Sequence, residues 1–209
     1  MATAGGYAGT GNGKPDEKSA GMSGVSMEGK SSFISDISAI RERARKHVGD
    51  GAVTPSYGAD REVVLRLLNE ALATEIVCVL RYRRHYYMAS GAVGEAVKKE
   101  LLAHANEERA HADAIAERIV QLGGEPDMNP MGMTERAHSE YVEGGSLAEM
   151  VREDLIAERI AIESYGEMIR YIGHGDSTTR RMLEGILANE EEHAEELASM
   201  LETLSGDRA

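Results

Sequence analysis

Two short runs hold the side chains with the most chemistry to offer. Glu108-x-x-His111 and Glu190-x-x-His193 each set a carboxylate and an imidazole one helical turn apart, so both leave the same face of a helix. An oxygen and a nitrogen donor at that spacing suit a divalent cation. Carboxylates favour hard ions, and imidazole admits iron, manganese or zinc. Taken singly, the pattern is common on exposed helices. Here each copy follows a further Glu at a nearly equal distance: Glu75 lies 33 residues before Glu108, and Glu158 lies 32 before Glu190. The flanks repeat as well. Glu70-x-Leu72-x-x-Glu75 with Tyr82 beyond matches Glu153-x-Leu155-x-x-Glu158 with Tyr165 beyond, so two units of like design face each other across a pseudo-twofold axis.

The apolar periodicity decides where these residues point. One stripe reads Leu101, His104, Glu108, His111, Ile115, Ile119, Leu122, and another Leu183, Ile186, Glu190, His193, Leu197, Leu201, Leu204. Glu75 falls between Ala71 and Val79, and Glu158 falls among Val151, Leu155, Ala161 and Ile162. Four carboxylates and two imidazoles therefore face an apolar interior. Unpaired, they would repel one another and cost several kcal/mol each in desolvation. Two divalent cations cancel that charge. One Glu from each of two helices, with Glu-x-x-His from each of two others, is the di-iron carboxylate ligand set. His104 is either an outer partner of this centre or a satisfied core histidine. Tyr82 and Tyr165 serve core packing, or hydrogen bonding and electron transfer beside the metals. Glu107, Glu191, Glu192, Glu195 and Glu196 read as solvated charges.

Four long helical patterns carry these stripes: about Asp60–Ala89, Glu95–Leu122, Ser146–Gly173 and Ser177–Leu204. Ser146 with Glu149 forms a capping box, and glycines stand just past the helix ends. The first pair and the second pair are each joined by about five residues, which makes them antiparallel hairpins. Residues 123–145 separate the pairs and are long enough to run the length of a bundle. Within that crossover, Thr134–Val142 is expected to form an extra helical turn. Two hairpins joined by one long crossover define the expected fold: all-α, a ferritin-like four-helix bundle over residues 60–209. Before it, residues 33–59 read as a short basic helix (36–48) and a linker. Residues 1–32 hold eight glycines and almost no large apolar side chain, a composition expected to be disordered.

Composition narrows the function. The net charge is −13, and residues 60–209 carry 16 Lys and Arg against 30 Asp and Glu. That disfavours a broad basic face for nucleic acid and favours a field that attracts cations. Cys78 is the single cysteine, so four-cysteine zinc or rubredoxin-type iron sites are excluded. The longest apolar run, Ile76–Leu80, is far short of the roughly 20 residues that cross a bilayer, and no signal-peptide pattern opens the sequence. The expectation is a cytoplasmic protein that contacts no membrane.

The segment EERAHADAIAERIVQLGGEP, following a Glu-bearing first helix, resembles bacterioferritin, and the resemblance covers roughly Asp60 to Leu204. It implies a ferroxidase centre of two irons per subunit. Its ligands would be Glu75, Glu108, His111, Glu158, Glu190 and His193, with Glu108 and Glu190 bridging and Tyr82 beside the metals. It implies oxidation of Fe(II) by oxygen or hydrogen peroxide and storage of ferric mineral in a hollow homo-oligomer. Three features depart from that family. Arg109 stands where the haem-ligating Met would follow the first Glu, so haem is not expected. The crossover is longer, and only 16 residues follow His193, with no fifth helix. Those features look more like the dodecameric miniferritins, so a 12-mer is favoured over a 24-mer, although the cysteine pair common there is missing. The competing readings are a di-iron oxidase or peroxidase without a cage, and a DNA-protecting miniferritin that uses Arg41, Arg43, Arg45 and Lys46. DNA binding is the less favoured.

Overall fold

The computed structural model describes residues 36–206. The expected disordered tail, residues 1–32, lies outside them. Six helices and no strands make up the described residues: α1 (Ile37–Lys46), α2 (Arg61–Met88), α3 (Gly91–Gln121), α4 (Met133–Arg136), α5 (Leu147–Ile172) and α6 (Ser177–Gly206). Among the described residues, 43–206 belong to one compact unit and 36–42 fall outside it. None of the residues of α1 is buried, the apolar Ile37 and Ile40 included.

In the compact unit, α2 pairs with α3 and α5 with α6, and the two hairpins meet through α2–α5 and α3–α6. Local chemistry fixes the helix starts. The Asp60 carboxylate accepts from the backbone N–H of Glu62 and Val63. Ser146 Oγ accepts from Glu149 N–H, while the Glu149 carboxylate accepts from Gly145 N–H, completing the expected cap one residue further out. Asp176 caps α6 through Thr179 N–H and Thr179 Oγ.

Several boundaries differ from the sequence expectation. Helix α1 is two residues shorter at its C-terminal end, and α6 continues through Ser205 and Gly206. Helix α3 begins at Gly91 rather than Glu95, leaving only Ala89 and Ser90 between α2 and α3. Gly91 takes a left-handed φ of 85° to make that tight turn. A Cβ on buried Gly94 would lie 3.3 Å from the Ala89 carbonyl carbon. These glycines permit close approach of the two helices; they do not extend the break.

The crossover forms only the four-residue α4, not a turn over Thr134–Val142. Side chains of α2 take the place of helical hydrogen bonds there. Thr74 Oγ accepts from His138 N–H, Arg81 donates to the Glu140 carbonyl, and Arg84 and His85 reach the Glu143 carbonyl. At the near end, the Asn69 side chain accepts from Asp127 N–H and donates to the Glu125 carbonyl. An extended strap whose polar backbone is satisfied this way has no need to coil. It also covers α2 on its outer side, where Ala73 and Val77 pack on Met133.

The linker before α2 is likewise packed. Val53, Tyr57 and Ala59 lie on the core, Tyr57 donates to Asp176, and Gly58 N–H meets the Gly175 carbonyl at 3.2 Å. Besides the small cluster under the strap, the core between the helices comes in two apolar clusters. One includes Leu68, Leu72, Ile115, Ile119, Tyr165 and Leu183; the other includes Tyr82, Leu101, Val151 and Leu197. On every long helix, a polar position falls in the sequence between the residues of one cluster and those of the other.

Candidate metal centre

That polar layer holds all six residues singled out by spacing. Glu75 comes from α2, Glu108 and His111 from α3, Glu158 from α5, and Glu190 and His193 from α6, each buried. They form two groups that could each hold a cation: Glu75, Glu108, His111 and Glu190, and then Glu108, Glu158, Glu190 and His193. Within each group the donor atoms lie within 4.8 Å of one another, and Glu108 and Glu190 belong to both. His111 Nδ1 stands 3.3 Å from Glu75 Oε2 and 3.1 Å from Glu190 Oε1. His193 Nδ1 stands 3.3 Å from Glu108 Oε1 and 3.5 Å from Glu190 Oε2.

The unsatisfied atoms test whether metal fits. Glu75 Oε2, Glu108 Oε1, both oxygens of Glu190, and Nδ1 of His111 and His193 are buried with no hydrogen-bond partner among the described residues. Buried polar atoms are rarely left so, and here they converge on two points. The opposite edges of both imidazoles are occupied. His193 Nε2 bonds Glu107 at 2.6 Å, and His111 Nε2 reaches the Asn189 side-chain oxygen at 3.4 Å. A carboxylate only accepts, so His193 donates from Nε2 and turns a lone pair on Nδ1 inward.

Electrostatics agree with the geometry. Burial first, then the charges of Glu190, Glu75 and Glu158, hold Glu108 well above the usual carboxylate range. Burial and the facing Glu190 do the same to Glu158, and burial with the Glu75 charge raises Glu190. Burial alone would lower His111, but contacts with Glu190 and Glu75 raise it to about 10. Each of these carboxyl groups resists ionising beside the others, as expected of a buried acidic cluster with no cation to balance it.

The two tyrosines cross over. Tyr82 of α2 donates its hydroxyl to Glu158 of α5, and Tyr165 of α5 donates to Glu75 of α2. Each orients the terminal carboxylate of the opposite helix, a role beyond packing. His104 stacks on His193 with ring centroids 4.0 Å apart, meets Tyr82 edge-on, and bonds Glu196 through Nε2 at 2.8 Å. It flanks the centre without joining either donor group.

Two sets of residues correct the sequence reading. Glu107 and Glu196 are not idle solvated charges, because each anchors a buried imidazole. Their signal was position, one residue before Glu108 and three residues after His193. A buried trio was also missed: Asp154 accepts from Arg81 Nε at 2.9 Å and from His85 Nδ1 at 2.8 Å. Asp154 lies on the same stripe as Val151 and Glu158, which marked it as inward-facing. Cys78, between Arg81 and Ser139, is buried and its thiol is pushed up to about 12, so it is inert.

Residues 65–206 match the model of the ferritin-like domain. A bacterioferritin of Mycobacterium avium is 32% identical over 142 residues, covering 68% of this chain and 85% of that protein. A DNA protection during starvation protein of Pyrococcus furiosus is 32% identical over 139 residues, covering 65% and 75%. Among solved structures, a dodecameric thioferritin, the bacterioferritin-related protein of Bacteroides fragilis, superimposes with a TM-score of 0.69. It is 31% identical and is matched over 72% of this chain and 91% of that one. With the matched domain spanning the four long helices and the polar layer between them, the chain belongs to the ferritin-like family.

Proposed function

We propose that this protein oxidises Fe(II) at a centre within each subunit and retains the ferric product in a homo-oligomeric cage. One observation carries the reading: two donor groups that share Glu108 and Glu190, lined by inward-facing atoms with no other partner. Glu75 with His111 would hold one Fe(II), Glu158 with His193 the other, and Glu108 and Glu190 would bridge them. The two iron ions supply two electrons together, enough to reduce hydrogen peroxide to water or oxygen to hydrogen peroxide. The chain's own residues do the rest. Raised carboxyl groups give up protons as cations enter. Tyr82 and Tyr165 hold Glu158 and Glu75 in place, and Glu107 fixes the His193 tautomer. The apolar clusters on either side keep bulk water from the centre.

A closed assembly of twelve is favoured by the likeness to the dodecameric thioferritin, with a 24-mer the alternative. Arg109 is exposed on α3 and pairs with Asp113, so it offers no thioether for haem. The test is aerobic Fe(II) loading, read by oxidation rate, particle mass and iron retained. The parent should oxidise quickly and retain iron in a particle near twelve subunits. A Glu108→Ala/Glu190→Ala variant that oxidised at the parent rate would refute the centre. A parent that oxidised iron as a monomer or dimer would leave an oxidase without storage.

A second reading is DNA protection. It draws on the names of relatives such as the starvation protein and on the exposed Arg41, Arg43, Arg45 and Lys46 of α1. A gel shift at physiological salt decides it. Binding that falls steeply with salt and disappears when the four are changed to Gln would support it.

A further inference from the structure

The internal repeat allows the two halves of the centre to be compared position by position. His104-Ala-Asn-Glu107-Glu108-Arg-Ala-His111 of α3 aligns with Ile186-Leu-Ala-Asn189-Glu190-Glu-Glu-His193 of α6. The donor sets are identical in type: one terminal Glu, one His and the same two shared carboxylates. What stands behind the histidines differs. The residue before each shared Glu reaches across to the imidazole of the other helix, and it is Glu107 in one half and Asn189 in the other. Three residues earlier, His104 stacks on His193, whereas its counterpart Ile186 is an apolar core residue.

We propose that the two cation positions are unequal, with the Glu158/His193 position binding a divalent cation more tightly than the Glu75/His111 position because Glu107 backs His193 where Asn189 backs His111. The proposal rests on the metal-centre reading above. Glu107 is a positioning residue. Its carboxylate accepts from Nε2 at 2.6 Å, pins the tautomer, and leaves negative charge behind the ring, which makes Nδ1 a better donor. The Asn189 amide carries no charge and reaches Nε2 only at 3.4 Å, close to the limit of a useful hydrogen bond. The His104 ring further restricts the His193 ring, so less freedom is lost when the cation arrives. Outer partners of this kind are worth about 10- to 100-fold in metal affinity. Glu107 is half exposed at 53%, so solvent screening places its effect toward the lower end.

Two cations sharing two carboxylates repel each other, so stepwise binding to the parent would not by itself separate the positions. Each must be measured alone. Full-length, chelator-stripped protein is titrated with Co(II), read by calorimetry and visible absorption. Glu75→Gln leaves the Glu158/His193 position, and Glu158→Gln leaves the Glu75/His111 position. The Gln side chain keeps an acceptor for the tyrosine in both. The Glu75→Gln protein should bind its one Co(II) about tenfold tighter than the Glu158→Gln protein does. Adding Glu107→Gln should remove most of that advantage from the first and leave the second unchanged. Adding Asn189→Glu should strengthen only the second. Equal affinities in the two single variants would overturn the proposal. So would a Glu107→Gln effect that weakened both alike, as a merely structural role requires. A parent protein that bound no Co(II) at all would instead overturn the metal-centre reading on which this one stands.

Discussion

Replacing Asp154 with Ala isolates a charge that cannot leave. Asp154, Arg81 and His85 have essentially no exposed side-chain surface, and the aspartate accepts from both of the others. Without the carboxylate, the Arg81 guanidinium keeps its proton, since arginine does not deprotonate in proteins. Its remaining contacts, the Glu140 carbonyl and Cys78 Sγ, carry no opposing full charge. Removing one partner of such a buried pair costs about 3–5 kcal/mol. For a chain of this size each kcal/mol moves the melting temperature by roughly 2–4 °C, so a drop of about 6–20 °C is expected. The assay is thermal unfolding of chelator-treated protein at fixed concentration, followed by circular dichroism. Limited proteolysis adds a local readout, because Arg81 and His85 also hold the Glu140 and Glu143 carbonyls of the crossover. The triple variant Arg81→Met/His85→Phe/Asp154→Leu removes every charge and should recover most of the loss. A single variant melting within about 2 °C of the parent, or a triple variant less stable than the single, would refute this account.

Other expectations follow from the centre and the linker. Glu108, Glu158 and Glu190 are raised in the folded metal-free chain, so the folded state holds more protons than the unfolded one above about pH 4.3. His111, raised to about 10, acts in the same direction from about pH 6.5 upward. Metal-free stability should therefore fall as pH rises from 5 to 9, and a melting temperature that climbed across that range would contradict the shifts. Glu158→Gln should raise the metal-free melting temperature while weakening metal binding. Glu158→Leu should gain less, because it orphans the buried Tyr82 hydroxyl at a cost of about 1–3 kcal/mol; paired melts with and without Zn(II) check both. Gly175→Ala places a Cβ 2.9 Å from Ala59 N and Gly58 C, so it should destabilise by about 1–3 kcal/mol and expose the linker to protease.

The long helices and their antiparallel pairing could be read from the sequence because large apolar side chains recur at helical spacing and turns of small residues separate the runs. The six donor residues stood out because they interrupt those stripes. What escaped was polar and inward-facing for reasons outside its own helix. Arg81 and His85 are buried because the crossover lies over α2, and no periodicity within α2 announces a strap arriving from residues 137–145. Glu107 and Glu196 keep exposed ends and resemble any surface glutamate; only the imidazole across the α3–α6 seam gives them work. Glycines at 91 and 94 signalled a break in general chemistry but served a two-residue turn and close packing in this instance.

The polar layer between two apolar clusters also bears on how a cation would reach it. Along the bundle axis an ion or proton would have to pass Leu72 and Ile115 one way, or Leu101 and Leu197 the other, where the buried polar groups Asp154, Arg81 and His85 are already tied to one another. Sideways, a single side chain separates each imidazole edge from solvent. Glu107 and Asn189 reach from solvent to the imidazole edges at the seam between α3 and α6, away from the strap that seals α2. For a centre that takes up cations as proposed, the bundle would be a wall crossed through its thickness, with the α3–α6 seam as the side of exchange.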